Sequence, residues 1–147
     1  MIIQHAPGAP GLRLFGMGPN LRPQKGLKKL KNLFNANTSW AKYRNKKSLR
    51  TMLSQSEVVV SAWTGKKLIG FGRATTDESF RAILWDVVVE KNYQKCGVGK
   101  KIVESILTNS LISKTEKIYI VTTHCEDFYA KMGFIHERNQ TLMVYYN

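Results

Sequence analysis

Cysteine is scarce in this chain: Cys96 and Cys125 are the only two among 147 residues, far apart and outside any Cys-x-x-Cys or His-pair spacing. That argues against a disulfide framework and a structural zinc site, and points to a reducing compartment. Long apolar runs are also lacking. The longest, residues 82–89, is interrupted by Asp86 and falls well short of the ~20 residues a membrane span needs. The expectation is a soluble, intracellular protein with no membrane partner. Acid is missing from the first third: Glu57 is the first acidic residue, whereas eleven of the 23 Lys and Arg precede it. This stretch is poor in serine, and residues 27–34 read as folded helix, so it is read as mature chain and not as a transit peptide. With 43% hydrophobic and 22% charged residues, a disordered or collagen-like chain is excluded. The length suits one domain with one real core.

Residues 1–12 are rich in Gly and Pro and read as a loose lead-in, followed by an extended piece at residues 12–15 and turn chemistry at residues 16–23. Leu27, Leu30, Leu33 and Phe34 recur at helical spacing, predicting a helix that ends near Asn35. A second short helix is expected at residues 48–53. The pattern then turns to strands at residues 58–63, 67–73 and 82–89, the first two joined as a hairpin through Thr64-Gly65-Lys66. Val98, Ile102, Val103, Ile106 and Leu107 predict a further helix, and residues 117–121 a short strand. Thr123-His124-Cys125-Glu126 has the form of a capping box, with Gly133 placed to end the helix it starts. Residues 134–135 and 142–146 are expected to form a final strand pair. The order is that of an α/β fold with a mixed sheet. Residues 1–26 are read as a basic N-terminal extension and residues 27–147 as the domain.

The stretch with chemical content runs from Val87, Val88 and Val89 through Gln94, Lys95, Cys96, Gly97, Val98, Gly99 and Lys100. A buried strand leads into a Gln-x-x-Gly-x-Gly loop that opens into a helix. Glycines let backbone N–H groups converge, and a helix N-terminus adds partial positive charge, as a pyrophosphate cradle requires. The Rossmann and Walker spacings are both absent. The glycines alone do not separate a cradle from an ordinary strand-to-helix turn.

A second constellation, Asp127-Phe128-Tyr129-Ala130-Lys131-Met132-Gly133-Phe134, lies one helix and one strand downstream. The two together resemble the GNAT superfamily of N-acetyltransferases. Leu33-Phe34 with Trp40, the strand of residues 68–75 and that of residues 83–89 are similar to plastid and cyanobacterial acetyltransferases. That group includes plant chloroplast serotonin N-acetyltransferases and plastid-encoded probable acetyltransferases. The resemblance implies a mixed, mostly antiparallel central sheet flanked by helices. It implies acetyl-CoA as co-substrate, with no metal, and direct attack by a primary amine, arylalkylamine or protein amine. It places the pantetheine arm on Val87, Val88 and Val89, with the Val88 N–H as donor to the carbonyl. The pyrophosphate falls to Gln94, Lys95, Cys96, Gly97, Val98, Gly99 and Lys100, and Tyr129 becomes the general acid toward sulfur. It also implies a plastid, in the chloroplast stroma, with a bacterial cytoplasm as the alternative.

The residues themselves leave some roles open. Asp86, an acid inside an apolar strand, either accepts the amine proton, directly or through water, or holds a backbone group. His124 is the other candidate base, or a residue of the helix start. Cys96 is a redox site or a small filler. Phe34, Trp40, Tyr43 and Trp63 line an acceptor site or fill the core. Two other functions stand beside acetyl transfer: transfer of another acyl group, and a non-catalytic binding module. The module would hold nucleic acid or an acidic partner on its basic first third.

Overall fold

The computed structural model describes residues 1–15 and 25–147. The turn expected at residues 16–23 lies outside the described residues. A five-stranded sheet has the order β1 (Ile2–His5), β2 (Val58–Thr64), β3 (Lys67–Thr76), β4 (Arg81–Val89) and β5 (Lys117–Ile120). The first four strands pair antiparallel, and β5 runs parallel to β4. Helices α1 (Gly26–Asn37) and α2 (Lys46–Ser54) cover one face, and α3 (Val98–Leu107) and the short α4 (Glu126–Ala130) the other. The mixed, mostly antiparallel sheet flanked by helices is the architecture expected.

Coverage on both faces explains why β2 reads as a nearly continuous apolar run, broken by Ser61 alone between Val58 and Trp63, all of which are buried. One core joins Leu30, Leu33 and Phe34 of α1 to Phe71, Leu68 and Val88. Phe34 meets Phe71 edge to face with ring centres 5.6 Å apart. The other core sets Ile102, Val103 and Ile106 of α3 against Val60, Ala62, Ile69 and Leu84. Here two glycines of β3 decide how near the helix comes. A Cβ on Gly70 would sit 2.7 Å from Ile102 Cδ1, and one on Gly72 2.7 Å from Ile102 Cγ2.

Four expectations are corrected. The lead-in contains β1, which pairs Ile2 with Ala62 and His5 with Val59, and Ala9 and Leu12 behind it are fully buried. Register against a strong strand outweighs local Gly and Pro content. The extended piece at residues 12–15 is instead a π-helical turn, Gly11–Phe15. At α4 the capping box does not form: Cys125 is the N-cap, and its N–H donates to Thr122 Oγ1 at 3.2 Å. Gly133, at φ 93°, follows the helix as expected. Residues 134–135 and 142–146 form no strand pair. Ile135, Leu142 and Tyr145 are largely exposed, and side chains tie this segment to β5: Lys117 to Glu137 at 3.3 Å and Tyr119 to Gln140 at 2.9 Å. Apolar alternation makes a strand only where a partner edge takes up its backbone.

Candidate functional site

The site is built around a fault in β4. On the β3 side, Trp85 faces Arg73 and Val88 faces Phe71, so Asp86 and Val87 together oppose Gly72 alone. This is a β-bulge, and Asp86 takes its left-handed position at φ 54°. On the other side, pairing with β5 stops at Leu84 and Ile120. Beyond Leu84, β4 therefore has no strand on its β5 side among the described residues.

The backbone there is polarised by its alternation. The Glu90 N–H donates to the Ile69 carbonyl at 2.8 Å. The Val88 N–H then points to β3 as well, and that of Val89 to the open side. The expectation that the Val88 N–H serves a bound carbonyl is corrected: the ladder with β3 uses it. On the open side, the Val89 carbonyl accepts from the Gln94 side-chain amide at 3.1 Å, which ties the strand end to the glycine loop.

That loop follows a 3-10 turn, Lys91–Tyr93, anchored to α1 where the Lys91 N–H donates to Asn37 Oδ1 at 2.9 Å. Lys95 and Gly97 take left-handed φ values of 61° and 79°, and α3 starts at Val98 with no side-chain cap on its free N–H groups. Its first turn holds no acid but has Lys100 and Lys101, the wrong sign for a helix N-terminus standing alone and the right one beside a bound anion. Lys95, Cys96 and Lys100 are exposed, as is the space a Gly97 side chain would enter. Gly99 lies against Phe128 and Val89, at 3.4 and 3.5 Å from the position of a Cβ. These residues therefore fit a pyrophosphate-bearing ligand with an extended arm.

Tyr129 projects from α4, 6% exposed, with its ring edge-on to Phe128 and Phe134 at 4.9 and 5.6 Å. Its hydroxyl has no hydrogen-bond partner among the described residues and is not sealed from solvent. Burial, with a smaller contribution from the Cys125 thiol, pushes the phenol up to about 12. It stays a protonated donor across the physiological range. The ring walls a cavity of about 580 Å³ bounded by β5 and residues 134–137.

Asp86 carries the largest surprise. Its side chain is 5% exposed, and both oxygens are engaged: Oδ2 accepts from Arg73 Nε at 2.7 Å and Oδ1 from Arg44 Nη1 at 3.0 Å. Of the two roles weighed for this residue, the geometry favours holding a partner, with guanidiniums where a backbone group was expected. Sequence reasoning missed Arg44 and Arg73, although a buried acid in an apolar strand is itself a signal for cationic partners. Phe34 and Trp63 belong to the core, while Trp40 is 51% exposed and Tyr43 projects into solvent. His124 and Cys125 are exposed at the start of α4, away from any ion pair. Among the described residues no group of three or more His, Cys, Asp or Glu is placed to hold a metal. Among the described residues no helix is long and apolar enough to cross a membrane.

Residues 24–143 match the acetyltransferase (GNAT) domain family. The chain is 34% identical over 104 residues to the uncharacterized N-acetyltransferase ycf52 of Pyropia yezoensis, covering 65% of this chain and 58% of that protein. It is 37% identical over 71 residues to the chloroplastic serotonin N-acetyltransferase 2 of Oryza sativa, covering 45% and 35%. In fold it matches a GNAT-family structure from Xanthomonas campestris with a TM-score of 0.74 at 18% identity, over 100% of this chain and 94% of that one. The chain thus spans about three fifths of the algal relative.

Proposed function

This chain belongs to the GNAT acetyltransferase family, and on that premise we propose that it transfers the acetyl group of acetyl-CoA to a primary amine. The observation that carries the reading is the bulge at Asp86 and Val87. It leaves one edge of β4 open directly upstream of an uncapped, lysine-flanked helix start. An extended arm adds to that edge as a strand would, through the Val89 N–H, and runs alongside Val87 and Val88. The pyrophosphate rests on Gln94, Lys95, Cys96, Gly97, Val98 and Gly99, with Lys100 adding charge.

Acetyl-CoA supplies an acyl group activated as a thioester. Attack by the neutral amine forms the C–N bond and breaks the C–S bond, and a proton must leave nitrogen and reach sulfur. Tyr129 is the donor toward sulfur. A phenol held near 12 keeps its proton until charge develops on sulfur, hands it over as the C–S bond breaks, and is reprotonated from solvent. Asp86 positions the bulge through its two arginines, and solvent takes the amine proton. A plastid location is supported by relatives named as chloroplastic.

The test is turnover of acetyl-CoA with an amine panel, read as free thiol released. Thiol release that depends on the amine supports the reading. A folded protein that binds acetyl-CoA but transfers to no amine overturns it.

A further inference from the structure

Resting on the acetyl-transfer reading, we infer that the acceptor is a small amine carrying a carboxylate, and that Arg44 selects it. Arg44 lies in the segment between α1 and α2, and its bond to Asp86 hangs that segment over the bulge, beside the open edge of β4. Its guanidinium is fixed from several directions. Besides Asp86, it lies 5.5 Å over the rings of both Phe34 and Trp40, with Nη1 3.7 Å from Met52 Sδ. The side chain is still 33% exposed, and its Nε and Nη2 groups have no partner among the described residues. A planar donor fork, held rigid and open on one side, is the group that recognises a carboxylate in two-point fashion.

The charge balance agrees. Asp86 has one negative charge for two guanidiniums, so the cluster is left positive. The same segment and α2 add the exposed Lys42, Lys46, Lys47 and Arg50, and no acid occurs anywhere before Glu57 to offset them. A substrate that is only an ammonium ion meets like charge on approach. An amine with a carboxylate brings the charge that Arg44 lacks, and the half-exposed face of Trp40 offers its apolar body a flat seat. The same field disfavours ammonium relative to the free amine, which is the nucleophile.

The experiment compares three pairs that differ only by an α-carboxylate: tryptamine with tryptophan, phenethylamine with phenylalanine, and cadaverine with lysine. For the wild type, kcat/KM is expected to favour the carboxylate member of at least one pair by about tenfold or more, less so at high salt. Arg44→Gln, which also loosens the bulge, is expected to slow both members of each pair, but it removes the preference by raising KM for the carboxylate member several-fold more than for its partner. Arg44→Lys, which keeps charge without the fork, falls between. Equal losses on both members would mean that Arg44 only tethers its segment, and would overturn the assignment. So would a wild-type preference for the decarboxylated members, or turnover of none of the six. Should Arg44→Gln not fold, the wild-type preference and its salt dependence decide. Acetyl-CoA titrated into the same protein separates the two levels: intact binding with no carboxylate preference sinks this inference alone, and absent binding sinks the acetyl-transfer reading.

Discussion

Arg73 Nε donates to Asp86 Oδ2 at 2.7 Å, across the point where two residues of β4 face one of β3. The ion pair and the bulge support each other. Asp86 sits at φ 54°, a conformation that costs a non-glycine residue about 1 kcal/mol or more, and its carboxylate is the only acid within reach of two guanidiniums in the described site. Strain at the bulge is thus held by electrostatics in a nearly dry setting.

Asp86→Asn should therefore cost stability before it touches chemistry. It leaves the two guanidiniums uncompensated, one of them on a side chain only 15% exposed, and a loss of about 3 kcal/mol is expected in urea unfolding. A loss below about 0.5 kcal/mol would mean that the pair does not hold the bulge.

The seat of α3 gives a sharper test. Gly70→Ala and Gly72→Ala should each cost about 1–3 kcal/mol, because each new Cβ meets Ile102 at 2.7 Å. Ile102→Val removes Cδ1 and keeps Cγ2. It should partly rescue Gly70→Ala and leave Gly72→Ala unrescued. Equal rescue of both would show that the helix shifts as a body.

Much of this was legible in the sequence, and the division is physical. Strands β2 to β4, the loop at Gln94 to Gly99 and α3 announce themselves because both faces are covered and the period is clean. β1 was hidden because Gly8 and Pro7 beside it spoke louder than two isoleucines. The strand pair expected near residues 142–146 did not form although β5 stands at the sheet edge beside it: side chains, not backbone, tie that segment to β5. Asp86 was visible as an anomaly, but its partners lie 42 and 13 residues away, and no local pattern connects them. The direction of the Val88 N–H depends on ladder register, which only the paired strands reveal.

Acid sensitivity should centre on His5. Its Nε2 lies 2.7 Å from Ser61 Oγ, and burial pushes the imidazole from 6.5 down to about 4. The unfolded chain binds a proton below 6.5 that the folded chain refuses until about 4. Stability from this group is present above 6.5 and lost as pH falls through that window, by up to about 3 kcal/mol. His5→Gln should flatten the fall between pH 6.5 and 4 in urea titrations. An unchanged slope would place the sensitivity elsewhere.

Tyr129→Phe should lower kcat by about tenfold to a thousandfold with little change in KM for acetyl-CoA. The raised phenol also ties the folded state to pH. Its contribution is complete below 10 and lost as pH rises toward 12, so the variant should resist alkaline unfolding better than the wild type. Turnover equal to wild type would remove Tyr129 from the reaction.

The most direct test of the open β4 edge and its glycine cradle is calorimetric titration of acetyl-CoA into the folded protein and its Gly97→Val variant. Gly97 sits at φ 79° with nothing within 4 Å of an added Cβ, so the variant strains the loop without filling the core. Saturable one-site binding by the wild type, weakened at least about tenfold in a variant that still folds, is the predicted result. Absence of binding by the folded wild type, or equal affinity in the two proteins, would contradict it.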